Sequence, residues 1–501
     1  MKRLRVHAAI RASSGGAALA LALAGSDAGG QLTRDSSLSA LIDTTVRRID
    51  ATLPAGRVLE RLVSRADTSQ RYALYLPSRY TTDRRWPVLF LLDPRGRALI
   101  PMAWLQRAAE RLGYVVVSSY NTLSDGPIEP NYAAMEAMLE DVQRTLSVDS
   151  RRFYLVGFSG TARFAWDMSL RLPGTVAGIV GAGAATPGGR GWARAHIGSS
   201  SPVFFGAIGL LDPNYEEVRT FDAELDSTRT PHHVERFIGA HEWPPRDLAD
   251  RALTFFELQA MRRGLKPRDQ RWIDSVYTDW VAAGERLTSA AVAPSVVRPL
   301  RLVRADFDGL TDVAPLTSRI DALERTPEGR REVQREAAAA DRDRQLAATL
   351  AAFVAEVKQS VSPPRFDDAR RRLDLTGLKR AASGTADPSS TVLAGRALER
   401  IFMHTAFYLP RDLFAGRRYA HAALSLAVAR TVKPAEGGAC LWHARALAQL
   451  GDAAKALEAL ECAAASRQIP ATAVEADPLL EPLRSNPRYE AAVRQMKRPG
   501  G

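Results

Sequence analysis

The chain is 501 residues long, enough for two or three domains, each able to bury a core of its own. Its composition, 46% hydrophobic and 25% charged, is that of an ordinary globular protein. No run reaches the roughly 20 apolar residues a spanning helix needs, which excludes a mature integral membrane protein. The net charge of +12 rests mostly on arginines scattered among acids, as in "DDARRRLD" (367–374). It is not gathered with aromatics on one face, which excludes nucleic-acid binding.

In chain order, Lys2, Arg3, Arg5 and Arg11 precede the apolar run "AALALALAG" (17–25) and small residues up to Gly30. That order predicts a secretory signal peptide over 1–28, cut after Ala28, and hence export to the periplasm or beyond. A lead-in over 33–55 follows, in which "SLSALIDTTVRRIDATL" (37–53) has helical spacing of apolar residues. "RVLERLVSR" (57–65) and "QRYALYLP" (70–77) read as a hairpin turning at "ADTS", and "WPVLFLLD" (86–93) as a buried central strand ending in an Asp-Pro-Arg-Gly turn.

Strands and helices then alternate. Strands are predicted over 114–120, 153–158, 176–183, 202–209 and 233–239, and helices over 132–146, 162–172 and 215–225. An antiparallel start followed by β-α-β alternation gives an α/β catalytic domain over 56–248, a mostly parallel sheet with helices on both faces. Beyond 248 the strand signal stops. Residues 249–400 read as a helical region, with "ASGTADPSS" (382–390) as a linker, and 401–495 as an all-α domain.

Chemistry concentrates at Gly157-Phe158-Ser159-Gly160-Thr161, between a strand and a helix. A serine on so tight a turn is held exposed above the sheet edge and tolerates only small neighbours two residues away, here Gly157 and Thr161. The following helix N-terminus offers the Gly160 N–H to a developing oxyanion. A serine hydroxyl needs a base. Of eight histidines, those at 7, 196, 404, 421 and 443 fall in the leader, a loop or the helical region. His232 and His233 open the strand 233–239, whereas His241 follows it, about 20 Å away at 3.3 Å per residue and on the carboxyl edge where Ser159 sits. His241 is therefore the candidate base. Asp212, just after the strand 202–209, is the candidate acid, and the order Ser…Asp…His suits this fold. The second oxyanion N–H is expected from Arg95 or Gly96, since Pro94 has none; Asp93 could instead pin that turn by hydrogen bonds to backbone. No metal-ligand spacing occurs, and the chemistry requires no cofactor.

Together "YLVGFSGTARFAW", "DPNYEEV" and "FIGAHEWPP" resemble bacterial alpha/beta hydrolases related to dienelactone hydrolases and polyhydroxybutyrate-depolymerase-like esterases, over roughly 56–248. The resemblance implies an alpha/beta-hydrolase sandwich, the triad roles of Ser159, Asp212 and His241, and carboxylesterase-like activity. Gly-Thr after the serine departs from the small pair usual there. Gly451, Ala456, Leu460 and Ala463 resemble positions of a tetratricopeptide repeat, and "DPLLEPLRSNPRYEAAV" (477–493) a closing segment.

The expected activity is thus hydrolysis of a small or polymer-end carboxylic ester through an acyl-enzyme, with the helical repeats free to dock a protein. The alternatives are a serine peptidase of the same fold, or a non-enzymatic interaction protein on a degenerate hydrolase core. The 18-residue loop 184–201 is too short for a lipase-like lid. Finally, Cys440 lies eleven residues before Gly451 and Cys462 eleven after it, positions that an antiparallel hairpin brings side by side; a disulfide is expected if the protein is exported.

Overall fold

The computed structural model describes residues 42–43, 47–48, 53–198, 201–289, 297–384 and 388–497, so the expected signal peptide lies outside the described residues. The chain forms two compact units. One gathers the described residues up to 335 except 211–213; the other gathers 211–213 and 336–497.

The first unit is built on a ten-stranded sheet. In chain order its strands are β1 (Ile42–Asp43), β2 (Arg47–Arg48), β3 (Val58–Val63), β4 (Arg71–Tyr75), β5 (Trp86–Leu92), β6 (Val115–Ser119), β7 (Val148–Phe158), β8 (Val176–Ala182), β9 (Val203–Gly209) and β10 (His232–Phe237). They lie in the order β1-β3-β4-β6-β5-β7-β8-β9-β10, with β2 also on β3. Only β3–β4 and β4–β6 pair antiparallel; from β6 onward every pair is parallel. This is the mostly parallel alpha/beta-hydrolase sheet. The hairpin and the strand alternation are as expected from sequence.

The lead-in is different. Where a helix was expected over 37–53, Ile42–Asp43 and Arg47–Arg48 pair parallel with β3. Ile42 is β-branched, which favours extended backbone where a sheet edge is open to pair with; most of the expected helix lies outside the described residues.

Alternation along the strands feeds two cores. Phe90, Phe153, Leu155 and Phe204 face one side with α2 (Glu129–Thr145), α3 (Gly160–Arg171) and α5 (Tyr215–Thr228). Leu89, Tyr154, Val156 and Phe205 face the other. There they meet α1 (Leu99–Leu112), a helix absent from the sequence expectation, together with α6 (Arg246–Arg262), α7 (Gln270–Ser289), α8 (Arg298–Phe307) and α9 (Ala314–Glu324). The short α4 (Trp192–His196) interrupts the Gly-rich loop.

The expected domain boundary at 248 is therefore displaced: the first unit runs to 335. The apolar stripe of α6, including Leu253, Phe255 and Phe256, is not the core of a separate domain but the cover of one sheet face.

The second unit is helical: α10 (Pro327–Gln359), which begins before the division at 335, α11 (Phe366–Arg372), α12 (Leu375–Ala382), α13 (Pro388–Met403), a π-helical turn (His404–Tyr408), α14 (Leu409–Ala415), α15 (Tyr419–Val432), α16 (Gly437–Gln449), α17 (Ala453–Ala465), α18 (Ala471–Glu475), a 3₁₀ turn (Pro478–Leu483) and α19 (Pro487–Lys497). Gly451, at a φ of 76°, joins α16 to α17. That hairpin brings Cys440 and Cys462 to a disulfide, with Cα atoms 5.8 Å apart, as the symmetric spacing predicts. No helix among the described residues is long and apolar enough to cross a membrane.

Candidate active site

Ser159 sits between β7 and α3 with φ 54° and ψ −126°, a backbone conformation that non-glycine residues rarely adopt. Sequence explains how the turn is possible. A Cβ on Gly157 would lie 2.4 Å from the Thr161 carbonyl oxygen, and one on Gly160 would lie 2.5 Å from Ser124 Cβ. The elbow is tied down from both sides: Ser159 N–H donates to Ala182 O at 2.8 Å, and Ala162 N–H to Ser159 O at 3.0 Å.

Thr161 accounts for its departure from the usual glycine. Its buried hydroxyl, with one proton to donate, lies at hydrogen-bond distance from the carbonyls of Leu92, at the end of β5, and Phe158 (2.8 Å), and accepts from the Phe158 N–H at 3.1 Å. The side chain therefore clamps the elbow to the neighbouring strand.

His241 Nε2 lies 2.9 Å from Ser159 Oγ, so the two groups chosen from sequence meet at hydrogen-bond distance. The imidazole packs on Phe158, ring centroids 4.7 Å apart. A Cβ on Gly183 would lie 3.1 Å from its Cε1, so a glycine there leaves the ring its space.

The rejected histidines are elsewhere engaged. His233 is fully buried, with Nδ1 2.6 Å from Asp306 and Nε2 3.0 Å from Glu235. His232 Nδ1 lies 2.7 Å from the Thr230 carbonyl.

Asp212 is fully buried in the turn between β9 and α5, at the carboxyl end of its strand as expected. Gly160 opens α3, where the first N–H groups have no intrahelical acceptor.

Arg95 and Gly96, however, are not placed as expected. The Arg95 N–H donates to Asp93 Oδ1 at 2.9 Å and the Gly96 N–H to Asp93 O at 3.1 Å, so both point into their own turn rather than towards an oxyanion. For Arg95 the physical reason is the fully buried Asp93 carboxylate, which needs donors, whereas the Gly96 N–H closes the turn on the Asp93 main-chain carbonyl. The carboxylate collects its donors from Arg95 N, from Arg97 Nε (3.0 Å) and Nη2 (3.1 Å), and from Trp243 Nε1 (3.0 Å).

Trp243 is the site residue that sequence reasoning passed over. It ties the His241 loop to the Asp93 turn and packs on Phe158 (5.4 Å) and Trp104 (5.6 Å), whose Nε1 holds Pro245 O at 3.0 Å. Its only signal in sequence is a tryptophan two places after the histidine in "AHEWPP". Among the described residues there is no group of three or more His, Cys, Asp or Glu able to hold a metal ion.

No family model matches the chain, and no curated protein matches it. Solved structures do resemble part of it. A fluorophosphonate-binding serine hydrolase of Staphylococcus aureus is 15% identical over 41% of this chain and 98% of its own, with a TM-score of 0.33. An S-formylglutathione hydrolase from Agrobacterium tumefaciens is 16% identical over 40% and 93%, with a TM-score of 0.32. The feruloyl esterase module from Clostridium thermocellum is 15% identical over 42% and 93%, with a TM-score of 0.33. At such identities the likeness is one of fold alone.

Proposed function

We propose that this protein is a serine hydrolase that cleaves a small or polymer-end carboxylic ester through an acyl-enzyme. The observation that carries the reading is Ser159 Oγ at 2.9 Å from His241 Nε2, on a strained turn at a helix N-terminus. In this reading Ser159 Oγ attacks the acyl carbonyl as its proton passes to His241 Nε2. The tetrahedral oxyanion is met by the Gly160 N–H and the positive end of α3. His241 then protonates the departing alcohol, and water repeats the sequence to release the acid. We assign Asp212 as the acid that orients His241; its burial at the carboxyl end of β9 and the Ser…Asp…His order support this.

Export is part of the same reading, supported by the order of the leader residues and by a disulfide, which persists in oxidising compartments. The α16–α17 hairpin supports a tetratricopeptide-like role for the second unit in docking a protein.

A fluorophosphonate probe, which reacts only with an activated serine, tests the proposal. Labelling of the purified protein that disappears in Ser159→Ala is expected. An unlabelled protein beside a reactive control esterase would overturn it. Turnover of p-nitrophenyl esters but not of peptide anilides separates esterase from peptidase.

A further inference from the structure

His241 is carried by the loop between β10, which ends at Phe237, and α6, which begins at Arg246. A loop has neither ladder nor helix pairing to fix its side chains. The 2.9 Å approach of His241 Nε2 to Ser159 Oγ therefore needs anchors of another kind. Two such anchors meet at Trp243, two residues further on.

The first is a column of rings. His241 lies on Phe158 with centroids 4.7 Å apart, Phe158 on Trp243 at 5.4 Å, and Trp243 on the buried Trp104 of α1 at 5.6 Å. Phe158 ends β7 and immediately precedes Ser159. Trp243 thus sits in the loop that carries the base while touching the strand that carries the nucleophile. From the far side, Trp104 Nε1 donates to Pro245 O at 3.0 Å and closes the same loop onto α1.

The second anchor is a hydrogen bond to a charge. Trp243 Nε1 donates to Asp93 Oδ2 at 3.0 Å. That carboxylate is itself fixed, by Arg97 Nε on Oδ1 (3.0 Å) and Nη2 on Oδ2 (3.1 Å), and by the N–H groups of Arg95 (2.9 Å) and Arg97 (3.2 Å). A buried ion pair contributes little net stability. What this one supplies is direction, because a single immobile carboxylate holds both the turn after β5 and the loop of His241.

We propose that Asp93 and Trp243 are positioning residues for the hydrolysis, setting where His241 stands against Ser159. The inference rests on the roles proposed above for Ser159 and His241. Neither Asp93 nor Trp243 exchanges a proton with the reacting atoms. They act through geometry alone, and a misplacement of about 1 Å can cost on the order of 100-fold in rate.

Trp243→Phe tests this, since it keeps a ring between Phe158 and Trp104 and removes the N–H on Asp93. The full chain is assayed on p-nitrophenyl acetate, with turnover counted per serine titrated by a fluorophosphonate, so that a lower yield of folded protein does not pass for lost activity. A fall in kcat of about tenfold or more is expected, the worth of one hydrogen bond to a charged group. KM should stay within about twofold, as for an interaction that serves the transition state and not substrate binding. The rate of fluorophosphonate labelling should fall by the same factor as kcat, because both reactions need His241 to take the Ser159 proton. Asp93→Asn turns an amide N–H towards Arg97 or the indole and should give the same split. Adding Trp243→Phe to it should cost little more, since the two act through one hydrogen bond. If the Asp93 variant fails to fold, Trp243→Phe decides alone. An unchanged kcat in Trp243→Phe, with only the melting temperature lowered, would overturn the inference and leave Ser159 and His241 in their roles. So would a rise in KM at constant kcat, which would make Trp243 a substrate contact. A wild-type chain that the probe leaves unlabelled would remove those roles and this inference with them.

Discussion

Ser159 holds a backbone conformation that costs on the order of 1–3 kcal/mol, and several neighbours are arranged to sustain it. Since its hydroxyl adds nothing to a core, Ser159→Ala should lower kcat by about 10⁴-fold or more with no loss of melting temperature. His241→Ala should match that loss, because nucleophile and base act as a unit, and Asp212→Asn should cost somewhat less. A variant of either of the first two that keeps more than a few per cent of wild-type turnover on a p-nitrophenyl ester would remove it from the chemistry. Thr161→Val tests the clamp: it keeps the shape of the side chain but leaves the Phe158 N–H and the Leu92 carbonyl without their partner. A loss of roughly 1–3 kcal/mol in denaturant unfolding is expected, with kcat falling more than KM changes. Ser159 and His241 were legible because each follows a strand whose apolar run marks it plainly, so topology alone put them on one edge. The inward donation at the Asp93 turn was legible only as the alternative in which Asp93 pins that turn through backbone. The choice between the two depends on how a buried Asp93 is satisfied, in part by a tryptophan 150 residues away, and no local pattern records that.

At the level of elements, what sequence periodicity cannot say is which surface an amphipathic helix will cover. α6 was readable as a helix, but its stripe fits the core of a helical domain as well as a sheet face. The structure decides for the sheet: Phe256 stacks on Tyr154 of β7 with centroids 4.5 Å apart. Phe256→Ala should accordingly destabilise the first unit, which carries Ser159 and His241, by about 3–5 kcal/mol, seen as an earlier unfolding transition of that unit on heating. Loss of only the second unit's transition would return α6 to the helical domain. The α16–α17 hairpin makes the opposite point, since here a local pattern sufficed. A glycine flanked by cysteines at equal distances specifies both the turn and the bond across it. The bond closes a separation of 22 residues, so its reduction should lower the stability of the second unit by about 3 kcal/mol. Thermal melts with and without reductant measure this, and two thiols titrating in unreduced, denatured protein would refute the bond.

For the whole molecule, two units with separate cores make unfolding unlike a single two-state transition, so each has its own dependence on solution conditions. The first unit contains a buried charged cluster that should set its response to pH. Burial alone would lower the pKa of His233. The Asp306 carboxylate at 2.6 Å and Glu235 at 3.0 Å outweigh burial and push it up to about 9. Glu235, against the opposing effect of burial, is brought down to about 2 by His233, Arg251 and Arg298. A folded-state pKa raised above the unfolded value of 6.5 gives stability that is complete below 6.5 and lost as pH rises through 9. The lowered Glu235 contributes above 4.5 and loses its contribution as pH falls through 2. The cluster joins β10 to α8, so between 4.5 and 6.5 both groups hold that face of the sheet at full strength, and alkali releases it first. The melting temperature of the first unit should therefore fall between pH 6.5 and 9. Asp306→Asn, which removes the strongest cause of the upward shift, should lower stability at pH 6 and flatten that decline. Calorimetric melts between pH 6 and 9 measure this; a decline equally steep in Asp306→Asn would place the alkaline sensitivity in some group other than His233.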